Sequence, residues 1–587
     1  MIMSKIEEKR HSLAHLLAAA VLEIYPDAKP TLGPAIDNGF YYDFEFSSPV
    51  GDADLKKIEK SMNKILSEWK GFEGKKVSEE EAKKFFKNNP YKLELIEEIV
   101  GKGEEITLYT SGPPAGGFTD LCRGGHVEDM NEIESGSWKL SHIAGAYWRG
   151  SEKNKMLTRI YGLAFDTKKE LEDYEEMIKE AEKRDHKKLG KELELFTFSE
   201  TVGKGLPLWL PKGATVRREL ERFIVDEEIK RGYQHVRTPD IAKLDLFKKS
   251  GHYPHYKDSM YAPIVIDDEE FMLRPMTCPH HFELYLSSPK SYRDLPMRIA
   301  ELAQLYRYEQ SGELTGLMRV RSFCLADAHI ICADEEQAVE EVAGALDLIE
   351  YVTEVLGLKM GDDYSYRLSL GDRKDEEKYY KNDTAWDKGE ELLRKLMEKR
   401  GAKFVEAEGE AAFYGPKIDI QMKNIHGKEE TAFTVQYDFC MPARFELNYK
   451  GEDGQDHQAL VVHRSSIGAI ERIMALLIEK YAGAFPLWLS PVQVKILPIG
   501  EGHIEYAQDI FEKLKAENIR VELDDSNESL GKKIRNFKTE KVPYALVLGD
   551  KEVSEEKVTL ESRDGDKQEL RVEELISKLQ QEITTRS

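Results

Sequence analysis

Arg307 and Glu309 lie two residues apart in the segment LYRYEQSGELTGLMRVRSF, and Arg319, Arg321 and Phe323 follow at the same spacing beyond a GELTG turn. Read as two strands of a hairpin, such residues share a face, so guanidinium forks gather near an aromatic ring. That set suits a bent nucleoside triphosphate, with planar forks for the phosphates and a π surface for the base. An Arg-x-Glu pair on its own is more simply a salt-bridged hairpin. Near the N-terminus, His11 and His15 are spaced to share one helical face, and Cys122 and His126 repeat the spacing in DLCRGGHVED. Three imidazoles and a thiol make a zinc-binding set. HSLAH lacks the glutamate that serves as base in HExxH, which argues against a metalloprotease.

Positioning these groups requires several folded units, because 587 residues exceed what one hydrophobic core serves. HSLAHLLAAAVLEIY has the periodicity of an amphipathic helix, and PTLGPAIDNGFYYDFEF reads as a hairpin, so residues 1–165 form a mixed α/β domain. Residues 166–194 are charged helix formers with few apolar positions, the pattern of a solvated linker helix. Residues 195–490 alternate strand-like runs (YQHVRTPDI, PMRIAELAQLYRYE, MRVRSFCLADAHIIC) with long helical ones such as EEQAVEEVAGALDLIEYVTEVLG, which suggests an antiparallel or mixed sheet. Residues 491–587 read strand, helix, strand, helix, strand, a compact βαβ unit. The fold class expected is α+β and multidomain.

Composition restricts function. With 41% hydrophobic and 33% charged residues the chain has material for a core and gives no general case for disorder. No apolar run reaches the ~18 residues of a membrane span, and the start MIMSKIEEKRHS lacks a signal peptide's apolar core, so a cytoplasmic location and no membrane partner are expected. The five cysteines, Cys122, Cys278, Cys324, Cys332 and Cys440, are scattered and read as reduced thiols. Without a CxxC pair, any further metal site must be assembled from residues distant in sequence. A net charge of -24 weighs against a nucleic-acid partner, although an acidic body can still carry a basic groove.

The motifs, taken in order, resemble class II aminoacyl-tRNA synthetases: GYQHVRTPDI with Pro239 is similar to motif 1, RYE followed by RxRxF to motif 2, and GAIERIMALL with Arg472 to motif 3. MLRPMTCPHH, DAHIIC, AFYGPKIDI, TVQYDF and VVHRSSIGAIER narrow the resemblance to the threonyl-tRNA synthetases, from about Arg10 to the C-terminus. It implies an antiparallel-sheet catalytic core between an N-terminal editing domain and a C-terminal α/β anticodon-binding domain. The implied activity is activation of threonine by ATP and its transfer to tRNA(Thr), with magnesium accompanying ATP and a homodimer joined near motif 1. Arg307 would hold the α-phosphate and the reacting carboxylate, Glu309 the adenine side, and Arg319 and Arg472 the outer phosphates, while Phe323 stacks on the base.

By the same resemblance Cys278, His329 and His463 would hold one zinc ion, with Asp327, Tyr414, Lys417 and Gln436 beside the substrates. A metal that requires a hydroxyl ligand rejects valine, whereas serine lacks only a methyl worth roughly 1 to 3 kcal/mol and leaks through. Editing is the expected remedy. The resemblance places His11, His15, Lys92, Asp120, Cys122 and His126 in a hydrolytic pocket, with Lys92 and His11 nearest the attacking water and no metal, whereas the bare residue types also suit zinc. Asn527, Lys533, Arg535 and Glu552 match anticodon-reading positions, the lysines neutralising phosphate.

The chain also departs from the pattern. It begins directly at the editing helix, so the family's ubiquitin-like TGS domain is expected to be naturally absent or trimmed. Leu325 stands where glutamine is usual, Thr431 and Phe433 are expected near the substrates, and Glu561 stands where arginine is frequent. Two alternatives keep parts of the pattern. Another class IIa synthetase would lack the Cys278, His329 and His463 set, and a non-catalytic RNA-binding paralogue would lose ATP chemistry.

Overall fold

The computed structural model of the chain describes residues 3–112, 117–151 and 153–586, so the outermost limits expected for the first and last domains lie outside it. The chain divides into two units, Met1–Lys179 and Glu180–Ser587. Among the described residues no helix is long and apolar enough to cross a membrane.

In the first unit the helix Lys5–Ile24 starts at a capping box, in which Ser4 accepts from the Glu7 N–H and Glu7 accepts from the Ser4 N–H. Its buried side, including Leu13, Leu16, Leu17 and Val21, packs into a core with Phe40, Tyr42 and Phe44 of the strand Gly39–Glu45. That strand turns back on Ala35–Ile36 as the hairpin pattern requires, and pairs antiparallel with Met156–Ala164, which in turn pairs with Trp138–Tyr147. A separate three-stranded sheet, Phe72–Lys76, Thr107–Ser111 and Phe118–Leu121, carries Asp120 at its edge.

The segment expected as one solvated linker helix is instead two helices, Lys168–Arg184 and His186–Glu192. Asp185 ends the first and caps the second by accepting from the Lys187 N–H at 2.6 Å, and His186, Leu189 and Gly190 of the second are buried. Sparse apolar residues hid this, because a short helix needs only one or two of them to dock.

The second unit is built on an eight-stranded sheet. Its order is Gln234–His235, Met297–Tyr306, Ser322–Cys332, Leu460–Ala469, Glu429–Asp438, Lys417–Lys423, Tyr364–Leu370 and Phe404–Glu408. The outermost pair on each side is parallel and the rest are antiparallel. Alternation sorts the two faces. Cys324, Ala326, Ala328, Ile330, Ile418, Ile420, Phe433, Val435 and Tyr437 join the main core with the helices Glu335–Val355 and Ile470–Lys480. Their strand neighbours Phe323, Asp327, His329, Lys417, Asp419, Gln436, Asp438, His463 and Ser465 fall on the opposite, polar face.

Two strand expectations need correction. YQHVRTPDI is not one strand but Gln234–His235 and Ile241–Lys243, because Pro239 removes a ladder donor and the Thr238 N–H is held by the Glu301 carboxylate at 3.1 Å. The motif 2 hairpin pairs Tyr306 with Ser322, so Arg307, Glu309, Arg319 and Arg321 lie in the connecting loop, past the strand ends. The C-terminal segment has the expected alternation from Val494–Pro498 to Tyr544–Leu548 and adds two antiparallel strands, Lys557–Ser562 and Lys567–Arg571.

Candidate functional site

Cys278 opens the helix Cys278–Leu286, while His329 and His463 face each other in register on neighbouring strands, and donor atoms of all three lie within 4.8 Å of one another. All three are buried. The nitrogen of each imidazole that points away from the cluster is already held. His463 Nε2 bonds the Asp438 carboxylate at 2.7 Å, and His329 Nδ1 bonds His281 Nδ1 at 2.8 Å, with His281 Nε2 resting on Glu301 at 3.3 Å. His463 Nδ1 and His329 Nε2 thereby keep free lone pairs, as metal ligands braced from outside require. One thiol and two such imidazoles fit a zinc ion with a position left for substrate. Burial keeps the Cys278 thiol up and the His329 imidazole down, so both are uncharged donors until a cation arrives.

Beside this cluster Asp327 is buried, its carboxyl pushed up by desolvation, and on the adjacent strand its partner Ser465 has a buried hydroxyl with no hydrogen bond among the described residues. Tyr414 stacks on His463 with ring centroids 4.9 Å apart and donates to the Gln436 side chain. Lys417 pairs with Asp419 at 2.5 Å. Sequence reasoning missed His252, whose Nε2 lies 3.8 Å from the Cys278 sulfur, and also Asp438, His281 and Glu301. The alternation of polar residues with Ile418, Ile420, Phe433 and Val435 was the available signal for Asp419 and Asp438.

Toward the motif 2 loop, the Arg307 guanidinium lies 5.2 Å from the centroid of the Phe323 ring. Glu309 accepts from Arg319 Nε at 2.9 Å and Nη2 at 2.8 Å, so these two expected ATP contacts neutralise each other in this state. Arg472 donates to the carbonyls of Met318 and Thr431. The expectation that Phe433 lies near the substrates is corrected: it is fully buried on the core face, one residue out of phase with Thr434 and Gln436. Thr431 reaches the site through its carbonyl, and Leu325 joins the apolar cluster of Ala303, Leu305, Val320 and Phe323.

In the first unit a cavity of about 490 Å³ is lined by His11, His15, Lys92, Asp120 and Cys122. Cys122 Sγ lies 3.3 Å from His126 Nε2 and 3.6 Å from His11 Nε2, and donors of His11, His15, Cys122 and His126 come within 4.8 Å of one another. Burial lowers all three histidines and pushes the thiol up to about 12. The set therefore offers neutral lone pairs, which can hold a water as well as a cation. Lys92 is buried, with Nζ 2.5 Å from Asp120 Oδ1 and 3.2 Å from the Tyr42 hydroxyl, which donates to Asp120. Tyr42 and Phe72, which stacks on His126 at 3.9 Å, were not read from the sequence. Tyr42 sits in an aromatic run that reads as a core hairpin, and Phe72 is a lone aromatic in FEGKK with no local signal.

In the C-terminal domain Asn527 and Arg535 are exposed. The expectation that Lys533 meets RNA phosphate is corrected. Its ammonium is buried and donates to the carbonyls of Asp524 at 2.8 Å and Pro498 at 3.2 Å, since a lysine on the inner side of the helix Leu530–Thr539 must find acceptors inside. Glu552 accepts from the Gly549 N–H at 2.9 Å and the Thr559 hydroxyl at 2.7 Å, leaving it half-buried at a helix start. Glu561 is buried beside Lys567 at 3.1 Å.

Three family descriptions match the chain: "tRNA synthetase class II core domain (G, H, P, S and T)" over residues 262–481, "Anticodon binding domain" over 493–582, and "Threonyl and Alanyl tRNA synthetase second additional domain" over 106–161. A threonine–tRNA ligase of Staphylococcus carnosus is 49% identical over 557 residues, which covers 94% of this chain and 84% of that protein. One from Listeria monocytogenes is 51% identical over 547 residues, covering 93% and 84%. Among solved structures, the RNA binding domain of threonyl-tRNA synthetase from Cryptosporidium parvum superposes with a TM-score of 0.64 at 36% identity, covering 68% of this chain and 98% of that one. A putative threonyl-tRNA synthetase from Aeropyrum pernix superposes at 0.61 with 29% identity, covering 69% and 97%.

Proposed function

We propose a division of labour among these residues from the premise that the chain belongs to the threonine–tRNA ligase family. It is an aminoacyl-tRNA synthetase that joins threonine to tRNA(Thr) at the expense of ATP and edits seryl-tRNA(Thr). In the first step a carboxylate oxygen of threonine attacks the α-phosphorus and pyrophosphate leaves, which gives threonyl-adenylate. In the second, a hydroxyl of the terminal adenosine of tRNA attacks the carbonyl carbon and AMP leaves. Neither step needs a protein nucleophile, so alignment and charge stabilisation carry the rate.

Arg307 lies between the metal-ligand end of the polar face and the loop carrying Glu309 and Arg319, which suits a guanidinium that bridges carboxylate and α-phosphate. Arg319 and Arg472 take the outer phosphates with magnesium, Arg319 leaving Glu309 as ATP enters, and Glu309 then turns to the adenine side. Cys278, His329 and His463 would hold zinc, which would supply a Lewis acid for the amino and hydroxyl groups of threonine. Asp327 faces the amino group, with Ser465, Tyr414, Lys417 and Gln436 closing the pocket. In the editing cavity His11 and the Lys92, Asp120 and Tyr42 group position the water for hydrolysis. Asn527 and Arg535 read the anticodon from exposed positions, with Glu552 at the rim.

The observation that carries the threonine assignment is the convergence of one thiol and two imidazoles on a point beside Asp327. One zinc per chain is expected by elemental analysis, lost in Cys278→Ser, together with pyrophosphate exchange stimulated by threonine, weakly by serine and not by valine. A protein without zinc, or exchange driven equally by valine, refutes the assignment. The homodimer expected at motif 1, whose last residue Ile241 is exposed as is the nearby Ile229, belongs to the same reading, and a monomer in sedimentation equilibrium at micromolar concentration overturns it. A cytoplasmic location belongs to the same proposal.

A further inference from the structure

The loop that presents Arg319 is held from two sides by residues distant in sequence. Arg472 Nε donates to the Met318 carbonyl at 3.1 Å, and the N–H of the preceding residue, Leu317, donates to Nε2 of His186 at 3.1 Å. His186 starts the helix His186–Glu192 and is 2% exposed. Its Nδ1 lies 2.6 Å from Oε1 of the buried Glu479, at the far end of the helix Ile470–Lys480 on which Arg472 sits. A backbone N–H only donates, so Nε2 presents its lone pair and the ring proton sits on Nδ1, where it is donated to Glu479. The imidazole thus converts a carboxylate fixed in the core into an acceptor fixed beneath the loop. Gly316 completes the fit: it lies at φ +49°, and a β-carbon there would fall 2.1 Å from His186 Nε2.

We propose that His186 is a positioning residue for the adenylation reaction, ordering residues 316–318 so that Arg319 is presented to the phosphates of ATP. This rests on the reading of Arg319 as a phosphate ligand. With Leu317 and Met318 both fixed, the anchored backbone runs directly into Arg319, so little freedom remains in where the guanidinium can reach. Without the acceptor, Leu317 keeps a buried donor that only a rearranged loop can satisfy.

The alternative is that His186 merely fastens its helix to the core, and amide isosteres separate the two roles. His186→Asn keeps a donor to Glu479 near the Nδ1 position and offers Leu317 nothing. The loop is expected to rearrange until water satisfies the Leu317 N–H, so the KM for ATP in pyrophosphate exchange rises about tenfold while the KM for threonine and the melting temperature stay unchanged. His186→Gln combined with Glu479→Gln places an amide oxygen near the Nε2 position, without leaving an unpaired carboxylate, and is expected to bring the KM for ATP back toward wild type. Gly316→Ala, which pushes the loop off the ring, is expected to raise it as His186→Asn does.

A wild-type KM for ATP in His186→Asn overturns the proposal. So does a loss spread over both substrates and the melting temperature, as simple fastening predicts. Arg319→Gln separates this failure from failure of the reading beneath it. If that variant also keeps its ATP affinity, the phosphate role of Arg319 falls; if it alone loses affinity, only the role of His186 falls.

Discussion

Replacing Asp438 by asparagine keeps the shape of the side chain and changes one hydrogen-bond role. Asp438 is fully buried and accepts three N–H groups: Oδ1 takes those of Cys440 at 2.8 Å and Met441 at 2.9 Å, and Oδ2 takes His463 Nε2 at 2.7 Å. Asparagine has one oxygen to offer. If the oxygen stays with the backbone, the amide NH2 faces Nε2, and the imidazole proton must move to Nδ1, the atom a metal needs. If the amide flips instead, two buried N–H groups lose their acceptor, at about 1 to 3 kcal/mol each. The tautomer change is the cheaper response, so zinc affinity is expected to fall about 10- to 100-fold, the effect of losing a ligand's outer partner. That is about 1.4 to 2.7 kcal/mol of binding free energy. Competition with a chromophoric chelator on the full chain measures it, with Asp456→Asn at the exposed Lys450 pair as a control. Affinity within twofold of wild type in Asp438→Asn would refute the bracing argument, even if the three ligands themselves stand.

Three further outcomes follow from buried charges and donors. Lys92→Met leaves Asp120 buried and unpaired, so the editing unit should lose about 3 to 5 kcal/mol. The pair Lys92→Met with Asp120→Leu should recover most of that stability in urea unfolding and none of the seryl-tRNA deacylation; deacylation by the double variant excludes the pair from catalysis. Burial alone would raise the Glu301 carboxyl, but hydrogen bonds from His281 and Thr238 and the charge of Arg274 bring it from 4.5 down to about 2. A lowered carboxyl contributes stability that is complete above its ordinary value and is lost as pH falls through the folded one. Glu301→Gln should therefore cost about 3 kcal/mol at neutral pH, with the gap closing between pH 4.5 and about 2; a gap independent of pH rules this out. Finally, elemental analysis should return one zinc and not two per chain, a second ion being assigned to the His11, His15, Cys122 and His126 cluster if it survives in Cys278→Ser.

Some of this was legible from residue order alone. Periodicity over residues 11–25 pointed to the helix that in fact begins at Lys5, and local pattern gave the hairpin ending in Gly39–Glu45 and the alternation from Val494 to Leu548, because each is specified by neighbours within a few positions. The spacing of His11 with His15 and of Cys122 with His126 already implied two halves of a shared cluster. What spacing does not encode is the direction of a loop. Arg307, Glu309 and Arg319 keep their strand-like spacing yet sit beyond the strand ends, and Glu309 and Arg319 find each other first.

Where each candidate side chain points was decided by the fold. Lys533 and Phe433 carry plausible residue types for ligand contact, but helix phase turns the first toward carbonyls of its own domain and strand phase turns the second into the core. Cys278, His329 and His463 become a metal set only because two strands pair in register and a helix start is brought against them. His186, Asp438 and His281 have no local signature at all, since their meaning lies in the partners that long-range packing supplies. Sequence thus determined the elements and the chemistry on offer, while convergence, burial and the direction of each donor depend on contacts between segments tens to hundreds of residues apart.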